Sequence, residues 1–453
     1  MNKSKKALIK TYKEMAPAIF VAMIATGLGF LALFTSDVPM IADFGKMLTI
    51  GIIISFIVAS LFLLPLVFVR DKHFSNEDKG KKKRKKNSLF LYHITRFVLK
   101  FKYLIIIIAF ALALVGLYLD QSVRVETDVE TFMPQNSQAL DDIHELRDRM
   151  GSTDQVVLVF ESDNMVSNEN IEYVNTQISD LNNQYSNQII QINSLFSLAN
   201  EMGLDFNESS VTSLVDALSE EQSKVWINED HSKMVVQLMI KKMETIELDS
   251  FLIELDRYLT SVENDRTQIT ITGQATIDVA MISSLTSGRY TITLLGMLAV
   301  FLGLLLIYRN FFKAITPLIP ITLIIGWSGL LMYTLDIAYT PLTATLGALI
   351  IGIGTEFTIL IMDRYYKNIN DFMPAEEIIA DSVQMIGKPI LISAITTMGG
   401  FSALIISDFE ILKNFGIMTV INLILAIIST LLIMPIVLYM QTRIRTKINF
   451  KRG

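Results

Sequence analysis

The chain has 453 residues, 51% of them hydrophobic, and a mean hydropathy of +0.45, which excludes an ordinary soluble domain and points to a polytopic membrane protein. Its formal charge of −6 averages two opposite populations: residues 120–289 hold 30 acidic side chains against 10 basic ones, and the remaining basic residues gather beside the apolar runs. With no cysteine and only four histidines, none at HExxH spacing, thiolate metal sites and disulfides are excluded; no metal set, cofactor motif, phosphate loop or nucleophile–base spacing argues for an enzyme.

The N-terminal MNKSKKALIKTYKEM carries Leu8, Tyr12 and Met15 at helical spacing among lysines, the pattern of a short helix lying on the cytoplasmic face. Two apolar runs follow, 17–34 and 47–69, too long and too closely spaced for a signal peptide. They read as two spans joined by the loop TSDVPMIADFG, with Pro65 kinking the second or marking its exit. Residues 70–102 turn strongly basic around Lys81–Lys86 (KKKRKK), which by the positive-inside rule places this linker in the cytoplasm. Anionic lipid attracts such a run; of its two readings, a nucleic-acid patch and a solvated cytoplasmic linker, the linker is expected and no nucleic-acid partner.

A third span over 103–119 delivers the chain to the outside, where 120–289 form one extracytoplasmic α+β domain. Helix signals lie at 138–150, 168–184, 211–218 and 247–261, and strand signals at 155–160, 188–192, 233–240 and 268–272. This β-α-β, β-α-β order is compatible with a ferredoxin-like split unit. Residues 290–440 hold five further spans, at about 290–308, 315–333, 341–365, 390–406 and 417–440, with a cytoplasmic interfacial helix over 374–387. A basic tail, 441–453, closes the chain. The reading is thus eight spans in a plasma membrane, with 1–69 holding the cytoplasmic interfacial helix and the first two spans, and with both termini cytoplasmic.

The sixth span, PLTATLGALIIGIGTEFTILIMDRY (341–365), organises the rest. It carries Glu356 well inside an apolar run, where an ionised group costs roughly 2.5–3.5 kcal/mol and usually faces a bundle interior or a water path. The alternative is a structural carboxylate bonded to a threonine or amide of a neighbouring helix. Leu349, Gly352, Ile353, Leu360 and Asp363 share its face, and Gly352 and Gly354 allow a partner helix to approach closely. Asp363 and Arg364, two turns on, suit an interfacial ion pair and anchor. Asn422 in the eighth span reads as interhelical packing, and Asp278 and Arg289 as residues at or above the outer surface.

GIGTEFTILIMDRYY resembles the acidic helices of the resistance-nodulation-division (RND) transporters, chiefly the MMPL and hydrophobe/amphiphile-efflux branch, in which Gly-x-Gly precedes an acidic-aromatic pair and Arg-Tyr closes the helix. Here Glu356-Phe357 stands where Asp-Tyr is commoner; Glu keeps the titratable group, whereas Phe cannot donate a phenolic hydrogen bond. TDVETFMP at 127–134 followed by GSTDQVVLVFE is also similar to the opening of that family's porter domain. The resemblance implies proton-driven export of hydrophobic, amphiphilic or lipid substrates, with Glu356 cycling protons and Thr396 and Thr397 of the seventh span assisting.

Shifting the first 50 residues by 371 positions lays them on the seventh and eighth spans. Thr26/Thr397, Gly29/Gly400, Phe30/Phe401, Leu33/Leu404, Ser36/Ser407, Asp37/Asp408, Phe44/Phe415 and Gly45/Gly416 coincide. Parallel repeats about a midplane site are a common transporter plan. Against the family pattern the chain matches the last eight of twelve spans, as a split-gene product, a fragment or a shortened lineage would. A homo-oligomer or a separately encoded N-terminal half is therefore expected as partner. Two other readings stay open: a protein-export accessory of the SecDF kind, and a non-transporting lipid-binding or sensing subunit.

Overall fold

The computed structural model describes residues 3–63, 65–66, 69, 81–126, 129–150, 154–203, 207–243, 245–264, 266–369 and 373–450. Thr127, Asp128 and residues 151–153 of the porter-like motif, residues 70–80 of the basic stretch and the last three residues of the tail lie outside them. Eight helices among the described residues are long and apolar enough to cross a membrane: Ala16–Thr35, Pro39–Phe62, Lys102–Asp120, Arg289–Tyr308, Phe311–Thr334, Thr343–Asn368, Ala375–Ile406 and Glu410–Ile444. They are called the first to eighth spans below.

Several boundaries differ from the sequence reading, among them the start of the eighth span, at Glu410 rather than residue 417. The N-terminal helix and the first span form one helix, Lys3–Leu31, that runs through Pro17. The second span begins at Pro39 rather than at residue 47, because proline's fixed φ and missing N–H suit a first helical turn and Lys46 pairs with Asp43 at 2.8 Å along the early turns. The expected interfacial helix 374–387 and the seventh span are likewise continuous, Ala375–Ser402, through Pro389. The basic stretch read as a linker contains a helix, Lys81–Lys100. Its second half buries Leu91, Thr95, Val98 and Leu99, an i, i+4, i+7, i+8 stripe, and Leu91 lies against Gly387.

The 371-residue repeat is a repeat of structure. Short 3-10 turns end the first and seventh spans at Ala32–Thr35 and Ala403–Ile406, positions related by that shift. Ser36 Oγ accepts from Val38 N–H and Ser407 Oγ accepts from Phe409 N–H, both at 3.2 Å. Gly45 packs against Leu33 and Phe30, and Gly416 against their counterparts Leu404 and Phe401. Phe44 and Phe415, themselves counterparts, meet edge to face with centroids 5.7 Å apart, so the local axis relating the two copies passes beside these rings.

Close backbone approach holds the membrane unit together, as expected where lipid gives no hydrophobic drive between helices. Side chains at Gly116 of the third span or Gly326 of the fifth would collide with the facing backbone, and Trp327 Nε1 donates to Ala109 O at 3.0 Å across the same contact. Ser429 Oγ of the eighth span donates to Pro320 O of the fifth at 3.0 Å.

The second compact unit is Pro134–Ser283, inside the 120–289 limits read from the sequence. Its strands β1 (Gln155–Glu161), β2 (Ile189–Asn193), β3 (Lys233–Ile240) and β4 (Gln268–Thr272) form an antiparallel sheet in the order β2-β3-β1-β4. With helices Asn168–Gln184 and Thr245–Val262 as the two crossovers, this is the split β-α-β topology. Strict alternation buries Val156, Leu158 and Phe160 of β1 and Met234, Val236 and Leu238 of β3 completely, against Ile171, Val174, Leu255 and Leu259 of the crossovers. Gly273, at φ +107°, turns the chain directly out of β4, a conformation that side chains rarely adopt.

Candidate functional site

The sixth span is the most buried of the eight, with 78% of its apolar window inside the protein. It starts on a knot of hydroxyls: Thr340 N–H donates to Thr343 Oγ1 at 2.7 Å and Thr343 N–H to Thr340 Oγ1 at 3.2 Å, satisfying amides at the helix entry. Small residues then admit neighbours on two sides. A Cβ at Gly352 would lie 2.9 Å from the Phe30 ring and 3.0 Å from Thr26, and one at Gly354 would lie 3.2 Å from Ile321 of the fifth span. Gly29 of the first span in turn faces Ile351 and the backbone of Ala348 and Gly352. The partner helix at the Gly352 face is therefore the first span.

The hydroxyl at this contact is that of Thr26, fully buried, whose Oγ1 donates to Gly352 O at 2.9 Å and also lies 3.0 Å from Ala22 O. Thr355 Oγ1 approaches the same Gly352 carbonyl at 2.7 Å. In an α-helix that carbonyl also accepts the N–H of Glu356, so three donors converge one turn before the carboxylate. Glu356 itself is half-buried, as are Ile353, Leu360 and Asp363 on its stripe. No hydrogen bond or ion pair reaches its carboxyl among the described residues. Phe357 is buried in the bundle and offers no polar group.

Thr396 and Thr397 lie elsewhere: their hydroxyls bond Ile392 O at 2.9 Å and Ser393 O at 3.0 Å, within their own helix. Thr26 is the counterpart of Thr397 under the 371-residue shift, and it is the copy that meets the acidic helix. The repeat alignment could have found it. At the other end of the sixth span Asp363 pairs with Lys367 at 2.6 Å, and Arg364 reaches Met385 Sδ at 2.8 Å. Around them stand Lys313 over the Tyr366 ring at 4.3 Å, Lys102 over the Tyr439 ring at 3.9 Å, and a hydrogen bond between Tyr365 and Thr442. Cations and tyrosines are concentrated at this end of the bundle, as at a membrane–water interface.

At the opposite end, sequence reasoning missed a buried ionic cluster. Asp120 closes the third span and Arg289 opens the fourth, 6% and 5% exposed. Arg289 Nη2 lies 3.2 Å from Asp120 Oδ2 and donates to Asp120 O at 2.9 Å. Tyr290 donates to Oδ2 at 2.6 Å and Tyr339 to Oδ1 at 2.5 Å, while the guanidinium stacks over the Tyr339 ring at 3.7 Å. Burial, followed by the negative charge of Asp120, pushes the Tyr339 phenol well above its ordinary value, so it remains a donor. The cluster ties the third and fourth spans to the segment entering the sixth. Arg289 thus packs inside the bundle end, and no local pattern signals a pair 169 residues apart.

The MMPL family model matches residues 1–99 and 131–452. Similar proteins include "Putative membrane protein MJ1562" of Methanocaldococcus jannaschii, 24% identical over 71% of this chain and 86% of its own length. "Putative membrane protein YdgH" of Bacillus subtilis is 26% identical over 43% of this chain, and "Probable transport protein MmpL8" of Mycobacterium bovis is 24% identical over 31%. These last two alignments span only 24% and 13% of the relatives' own lengths. Eight apolar spans, a small split β-α-β unit and a family match over most of the chain agree: this chain belongs to the MMPL family and is a multi-pass membrane protein of the RND/MMPL transporter type.

Proposed function

We propose that the chain exports hydrophobic, amphiphilic or lipid molecules and draws on the proton gradient through Glu356. The observation that carries this reading is a carboxylate inside the most buried span with no hydrogen-bonding or ionic partner among the described residues. A structural carboxylate in hydrocarbon is expected to be paired; an unpaired one suits a group that takes up and releases a proton. Its stripe through Ile353, Leu360 and Asp363 is half-open, whereas Gly352, one turn away, is clamped by Thr26. The coupling assembly proposed here is Glu356 with Thr26, and Thr396 and Thr397 take part from the seventh span when a further helix covers them.

The proposed topology places both termini and the Lys102, Lys313, Arg364 and Lys367 ends in the cytoplasm, and Pro134–Ser283 outside. The concentration of lysines and arginines at that end of the bundle supports it. Partners follow from the repeat. Gly29 is seated on the acidic helix, whereas its counterpart Gly400 faces open space. A second helix of the same kind as the sixth span would fill that face. In a second copy the matching surface is already held by its own first span, which favours a helix from a different half over a symmetric homodimer.

The reading is tested in proteoliposomes holding the full chain, with a fluorescent phospholipid and a panel of amphiphilic dyes as probes under an imposed pH gradient. Gradient-driven movement of a probe by the wild type and its loss in Glu356→Gln is the expected result. Movement that persists in a well-folded Glu356→Gln protein would return Glu356 to a structural role.

A further inference from the structure

Between the sixth and eighth spans lies a cavity of about 10 Å³, lined by Ile350, Ile353 and Gly354 on one side and Thr419, Asn422 and Ala426 on the other. Thr419 is fully buried and Asn422 is 3% exposed. Thr419 Oγ1 and both polar atoms of the Asn422 amide are without a hydrogen-bond partner among the described residues. Buried polar groups are bonded as a rule, and three orphaned atoms from residues three apart on one helix face, all beside one cavity, call for a small polar occupant. The volume is that of about one water molecule, and a hydroxyl plus an amide supply the two to four contacts a buried water needs. A metal cation would require a fuller set of oxygen ligands than this pair presents.

Glu356 does not line the cavity but lies one helical turn beyond its wall. Ile353, in its wall, precedes Glu356 by one helical turn on the same face, a rise of about 4.5 Å. Side chains on a helix tilt towards its N-terminus, so the Glu356 carboxyl leans over the turn that walls the cavity. Further along the eighth span Thr430 Oγ1 is a further buried hydroxyl with no partner among the described residues, one helix turn beyond Ala426. The acidic span is therefore flanked by a broken line of unsatisfied polar groups on the eighth span.

We propose that Thr419 and Asn422 hold an internal water that carries protons to and from Glu356. The amide donates to the water and accepts from it, the threonine hydroxyl orients it, and the water exchanges a proton with the carboxyl. No bond other than O–H is made or broken. This relay rests on the coupling role proposed above for Glu356, and its test separates the two.

The experiment is infrared difference spectroscopy on the full chain in lipid bilayers, in which the Glu356 carboxyl band is assigned as the signal missing from Glu356→Gln. Transfer into deuterated buffer then gives the proton-exchange rate of that band. The expected result is that Thr419→Val and Asn422→Leu, which keep shape and remove polarity, each slow exchange by about an order of magnitude. Asn422→Ser, which keeps a hydroxyl and the space, should restore a rate near wild type. Wild-type exchange in both apolar variants, with the Glu356 band still titrating, would overturn the relay and leave the coupling reading standing. Absence of any titrating Glu356 band would instead overturn the coupling reading and the relay with it. Should Asn422→Leu fail to fold, Thr419→Val against Asn422→Ser gives the same comparison.

Discussion

Thr26 Oγ1 lies 2.9 Å from the carbonyl oxygen of Gly352, joining the first span to the sixth one turn before Glu356. The two residues are 326 apart in sequence and meet because neither Gly29 nor Gly352 carries a side chain to keep the helices separate. The acidic residue is thus mounted on a backbone position that another helix fixes directly.

That contact has a measurable asymmetry. Gly29→Leu and Gly352→Leu overfill the interface and should each cost about 1–3 kcal/mol, read as a lower unfolding midpoint in mild detergent. Gly400→Leu, at the counterpart of Gly29, meets open space and should leave the midpoint unchanged. Thr26→Val should cost less, about 0.6 kcal/mol, the average for a hydrogen bond between membrane helices. Equal losses at Gly29 and Gly400 would show that both copies of the repeat are seated alike.

The open face at Gly400 should cross-link. Cysteine placed at Gly400 in this cysteine-free chain is expected to trap a second polypeptide in native membranes, whereas cysteine at Gly29, already covered, is not. Monomer alone at both positions would remove the proposed partner helix.

The Asp120–Arg289 pair is almost wholly buried, and breaking one side strands the other charge. Asp120→Asn or Arg289→Gln should each destabilise the membrane unit by about 3–5 kcal/mol, and the double variant by clearly less than the sum, in a double-mutant cycle of unfolding midpoints. Tyr339→Phe removes one donor from the carboxylate and should cost about 1–3 kcal/mol. Additive losses would mean that the two ions do not stabilise one another.

Topology has a direct check. Asp163→Cys should react in intact cells with a membrane-impermeant thiol reagent, and Lys83→Cys only after the cells are opened. Labelling of position 83 alone would invert the arrangement.

How far the sequence foretold this architecture varies with the kind of signal. The strands at 233–240 and 268–272 and the helices at 138–150 and 168–184 have the bounds that periodicity suggests, because alternation and turn residues are local. The helix Lys81–Lys100 was illegible because its first turns are a run of like charges, and its apolar stripe begins only at Leu91. The sequence reading starts the first and seventh spans at residues 17 and 390, yet the helices run continuously through Pro17 and Pro389, as membrane helices with packed neighbours can. Glu356 stood out as a lone carboxylate in an apolar run. Its contact with the first span was legible only as a glycine needing some neighbour, and the cluster of Asp120, Arg289 and Tyr339 was not legible at all. Nothing local marks which distant charge completes a pair. The orphaned polarity of Asn422 is similar: its type suggested an interhelical bond, and only the packing shows that the neighbouring sixth-span wall is apolar.

Proton coupling requires Glu356 to change protonation in the membrane-embedded protein, and infrared pH-difference spectra of the wild type and Glu356→Gln in lipid bilayers measure that change. The expected result is a protonated-carboxyl band that appears and disappears reversibly between acid and alkaline pH and is missing from Glu356→Gln. Identical spectra from the two proteins across that range would contradict it.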